Sequence, residues 1–61
     1  DLYNLGLCFE ALGDYGLALL NYRAAHQMDG TNLVYALGIG RIENLQRQFP
    51  QLRSQIQSRK L

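Results

Sequence analysis

What this 61-residue chain has little of narrows its chemistry first. Its one cysteine, Cys8, cannot close an internal disulfide, so no disulfide framework holds the fold together. That usage fits a reducing compartment such as the cytoplasm. Its one histidine, His26, has no second His or Cys at ligand spacing, so neither a metal cluster nor a catalytic dyad can be assembled around it. Paired carboxylates for acid–base work are also missing. Glu10 and Asp14 stand four apart, but a turn at Gly13 puts them on different elements. Gly38-Ile39-Gly40 lacks the third glycine of a nucleotide loop, whose place Glu43 takes, and no strand precedes it. Enzyme catalysis is therefore not expected, and no cofactor is implied. No apolar run approaches a membrane span of roughly 20 residues, and no signal-peptide pattern is present. The chain opens on Asp1, directly into a helical pattern, and is expected to be a slice of a longer protein.

What is present is a pattern of helices. Leu2, Leu5, Phe9 and Leu12 follow one face of a helix, with the small residues Gly6 and Cys8 beside that stripe, where they let a second helix come close; Cys8 is expected at a packed position. Gly13 is a good helix stop and Asp14 a good N-cap for the next helix. So short a connection makes the two helices antiparallel neighbours. The second helix is expected from Tyr15 to Met28, apolar nearly all round. One face carries Tyr15, Ala18, Leu19, Tyr22, Ala25 and His26, the other Leu17, Leu20 and Ala24. Such a helix has neighbours on more than one side. His26 falls in its last turn, where an imidazole suits the helix dipole.

Asp29-Gly30-Thr31-Asn32 is a polar turn. After it the opening returns, Val34-Tyr35-Ala36-Leu37-Gly38 against Leu2-Tyr3-Asn4-Leu5-Gly6, at a distance of 32 residues. Self-similarity of this length marks arrays of helical pairs. The second unit has no Gly turn. Its helix is expected to run from Asn32 to Gln48, where Pro50 and the restriction it places on Phe49 break it. Residues 50–61 are expected to form a short, mostly solvated last helix, acting as a cap or fraying toward Leu61. The expected fold class is thus all-α, an antiparallel helix–turn–helix repeat with three main helices and a short C-terminal one. In a single domain over residues 1–61, residues 1–32 are a complete unit, 33–49 the first helix of a degenerate one, and 50–61 the cap.

Charge is unevenly placed. Residues 1–40 carry four acids against Arg23, whereas residues 41–61 carry Arg41, Arg47, Arg53, Arg59 and Lys60 against Glu43. A basic tail of this kind can bind nucleic acid or another acidic surface. Its arginines, however, recur every six residues, a helical rotation of about 600°, so they do not form the one-sided stripe that nucleic acid requires. They are expected to be solvated.

Residues 1–32 resemble a tetratricopeptide repeat. Leu2, Leu5-Gly6, Phe9, Ala18, Tyr22 and Ala25 stand where that family has a large residue, Leu-Gly, an aromatic, Ala, an aromatic and Ala. Leu12-Gly13-Asp14-Tyr15 resembles its usual turn, and Gly30 departs from its usual Pro. The resemblance implies a protein-interaction scaffold whose groove is lined by the first helix of each pair. Here that groove would be Tyr3, Leu7, Glu10, Ala11, Tyr35, Ile39 and Ile42. Such a groove offers Tyr, Leu and Ile in place of the Lys, Asn and Arg clamp that one subset uses for acidic C-terminal peptides. It suits an apolar helix or segment. The partner is another protein, a peptide or a second copy. Self-association would run through Ile42, Leu45, Phe49, Leu52 and Ile56 or through the open Leu2 end.

Overall fold

The computed structural model describes residues 1–58 and is helical throughout, with helices α1 (Leu2–Ala11), α2 (Tyr15–Met28), α3 (Leu33–Gln48) and α4 (Leu52–Ser58). Each boundary has a local cause. Asp1 caps α1 by accepting from the Asn4 amide at 2.8 Å, Asp14 caps α2 at the Leu17 amide, and Asn32 caps α3 at the Val34 amide. Gly13 sits at φ +83°, a left-handed conformation that other residues adopt only with strain, and this permits the tight α1–α2 reversal. α3 stops at Phe49, just before Pro50, as its sequence predicts.

α2 is the central element and packs against each of the other three helices. The fully buried core is small: Ala18, Leu19, Tyr22 and Ala25 of α2, with Ile42 of α3. Phe9, Tyr3, Tyr15, Ile39 and Ile56 pack around it, partly buried. α4 turns back onto α2 rather than extending α3. Its Ile56 rests on the core, and its Gln55 side chain accepts through Oε1 from the Tyr15 amide at 2.8 Å, satisfying an open donor in the first turn of α2. The apolar line expected for self-association is therefore folded. Ile42 is in the core, Leu45, Leu52 and Ile56 are partly buried, and Phe49 alone stays half-exposed at the break.

Two expectations for α1 change. The stripe Leu2–Leu5–Phe9–Leu12 is not its buried line, since Leu5 is 48% and Leu12 80% exposed. Gly6 is buried instead, because α2 approaches along the glycine and carries a large ring toward it. Cys8, expected at a packed position, is exposed, on a helix face that none of the described residues covers. None of the described helices is long and apolar enough to cross a membrane.

Candidate functional site: the seam between α1 and α3

Tyr22 organises the junction. A Cβ placed on Gly6 would lie 2.5 Å from Cε1 of the Tyr22 ring, and one on Gly38 would lie 3.1 Å from Cδ2. The ring is thus held edge to edge between two glycines that occupy equivalent places 32 residues apart. A side chain at either position would push the helices apart, so the glycines set how closely α1 and α3 flank α2. The Tyr3 ring packs on Tyr22 with centroids 5.6 Å apart and on Tyr35 with centroids 5.4 Å apart.

The polar end of Tyr22 joins a network. Its hydroxyl donates to Glu10 Oε1 at 2.6 Å. Arg41 donates through Nε to Glu10 Oε2 at 2.8 Å and through Nη2 to Oε1 at 2.9 Å, a two-pronged pair between α1 and α3. The guanidinium also stands 5.9 Å from the centroid of the Tyr22 ring. The Arg41 hydrogen bonds hold the Glu10 carboxyl below the usual carboxylate range, against the opposing effect of burial. Burial, reinforced by the Glu10 carboxylate, pushes the Tyr22 phenol up to about 12. The same carboxylate raises Arg41 further.

The residues expected to line one continuous groove fall into three groups. Tyr3 and Tyr35 line a recess of about 410 Å³ at the N-terminal end of the seam, with Leu2, Ala25, Met28, Asp1 and Asp29. Leu7, Glu10 and Ala11 line a second recess of about 360 Å³ at the other end, with Tyr15, Arg41 and Leu45. Ile39 is partly buried against the core between them. Ile42 cannot line the groove: it is fully buried, its side chain turned to Leu19 and Tyr22 in the core. Sequence reasoning missed Arg41, which belongs to the site and not to a solvated tail. No short-range signal pairs it with Glu10, because the two are 31 residues apart. Arg23 likewise lies 3.8 Å from Glu43, while Arg59 and Lys60 lie outside the described residues. Among the described residues no group of three His, Cys, Asp or Glu side chains could hold a metal ion.

Neither family models nor curated proteins nor solved structures give a match to this chain.

Proposed function

We propose that the chain is a non-catalytic protein-interaction module of tetratricopeptide-repeat type, and that the seam between α1 and α3 receives a segment of a partner protein or of a second copy. One observation carries this reading. Tyr3, Leu7, Ala11 and Tyr35 keep apolar surface open along two neighbouring helices, with a recess at each end of the seam. A cleft built this way suits an extended or helical segment laid along it, with alternate side chains entering the recesses. The Glu10–Arg41 pair, in the recess at the far end of the seam, bridges the two helices and its charges are satisfied by each other.

The test is selection of binding peptides from a random display library, followed by NMR shift mapping on the labelled chain. Shifts concentrated on Tyr3, Leu7, Ala11 and Tyr35 are expected, and Leu7→Glu should abolish binding while leaving helix content unchanged. Shifts confined to the α2–α4 face, or no selectable peptide, would refute the reading. Sedimentation equilibrium of the same sample decides whether the occupant is a second copy.

A further inference from the structure

Resting on that reading, we infer that the recess lined by Tyr3 and Tyr35 takes a cationic side chain, an alkylammonium or guanidinium, from the bound segment. Its volume of about 410 Å³ falls within the range of small-ligand pockets, roughly 300–1,000 Å³. Tyr3, Tyr35, Leu2, Ala25 and Met28 supply walls that suit an alkyl stem. The Tyr3 and Tyr35 rings pack on each other with centroids 5.4 Å apart, so a cation meets their aromatic surface from the recess and not from between them.

The charges in the lining point the same way. Asp1 and Asp29 are its two carboxylates, and it contains no Lys, Arg or His side chain. The side-chain charge of the lining is therefore net negative. Helix ends matter as well. α2 finishes at Met28 with Asp29 as its C-cap, so the negative end of its dipole lies at the recess. The opening turn of α1 would favour an anion, but the Asp1 carboxylate already occupies it through the Asn4 amide. Thr31 donates to Asp29 Oδ1 at 2.9 Å and restrains that carboxylate at the rim. The recess at the far end of the seam differs, because its acid, Glu10, is neutralised by Arg41.

The probes are butylammonium and butylguanidinium, with butyrate and 1-butanol as controls, titrated at constant ionic strength while the Tyr3 and Tyr35 ring signals are followed by NMR. Both cations are expected to shift those signals to saturation more tightly than either control. Asp29→Asn keeps the acceptor for Thr31 and touches no core residue. It should weaken the cations about two- to five-fold, and Tyr35→Leu should do the same, as befits a modest cation–aromatic contribution. Butyrate or butanol binding as tightly as the cations overturns the inference, as does an Asp29→Asn variant that binds them unchanged. The two readings fail separately. Peptides that bind only at Leu7 and Ala11 would leave the interaction module standing and remove the cation site. Cations that bind where no peptide does would do the reverse.

Discussion

α1 and α3 begin as near copies and end as different helices. Tyr3 and Tyr35 pair at the N-terminal end of the seam, and Gly6 and Gly38 press on the two edges of one Tyr22 ring. One turn later the correspondence stops. The place of Glu10 in α1 is that of Ile42 in α3. Glu10 reaches up to Arg41 and the Tyr22 hydroxyl, while Ile42 is sealed into the core. α1 then ends at Ala11 before the Gly13 turn, whereas α3 runs on to Gln48. The repeat thus preserves what governs backbone approach and varies what governs chemistry. One copy supplies a charge and the other closes the core.

The largest expected effect comes from removing what both helices share. Tyr22→Ala empties the space between Gly6 and Gly38 and strips a partner from Glu10 and Arg41. Buried aromatic-to-alanine changes cost about 3–5 kcal/mol, as much as a domain with so small a core is expected to possess. Loss of cooperative thermal unfolding by circular dichroism is the expected result. A well-folded Tyr22→Ala variant would mean that the ring is not the element on which α1 and α3 depend.

The two glycines test the comparison directly. Gly6→Ala brings a methyl within 2.5 Å of the ring and forces α1 to move, whereas Gly38→Ala meets the ring at 3.1 Å. Overpacking costs about 1–3 kcal/mol, against roughly 0.5–1 kcal/mol regained in helix propensity. Gly6→Ala should therefore lower stability by about 2 kcal/mol and Gly38→Ala by less than about 1 kcal/mol, read from urea midpoints. Equal losses would show that the ring relaxes toward either side, and that the equivalence of the two contacts is closer than their distances indicate.

Much of this fold was legible in the sequence, because its boundaries rest on local signals. Asp14 as a cap, Gly13 as the turn, and Pro50 as the break are short-range features that act on their own neighbours. The site was less legible for the opposite reason. The sequence neighbours of Arg41 group it with a basic tail, yet its partner is on α1, 31 residues away. Ile42 is expected in the groove because it lies on the first helix of the second unit, but its side chain is sealed in the core. On α1, periodicity marked the larger apolar residues as the packed line, whereas close approach by Tyr22 selected the glycine.

The polar network gives a smaller, pH-dependent effect with a sign at each end. The Glu10 carboxyl is held below its ordinary value of 4.5, so its contribution is present above that value and is lost as pH falls through the lowered one. The Tyr22 phenol is raised from 10.0 to about 12, so its contribution is complete below pH 10 and is lost as pH rises toward 12. Tyr22→Phe should cost about 1 kcal/mol at neutral pH. It should also remove the Tyr22 part of the alkaline loss while leaving the Glu10 part of the acid loss. Glu10→Gln should flatten the acid side. Unfolding midpoints measured across pH for the three chains separate these contributions, and an alkaline profile unchanged in Tyr22→Phe would assign that loss to other groups.

The smallest effect is expected on the face of α1 turned away from α2, and its smallness is informative. Leu12, at the C-terminal cap of α1, is 80% exposed, and Cys8 is exposed on the helix itself. Leu12→Gln should change stability by no more than about 0.5 kcal/mol, as for surface positions without a buried partner. The Cys8 thiol should react with a soluble disulfide reagent in the native chain nearly as fast as in urea, since no packing withholds it. Strong protection of Cys8, lost on dilution of the protein, would mean that a second copy covers the outer face of α1. Self-association would then use the Cys8 face of α1, and the seam would remain open to a different partner.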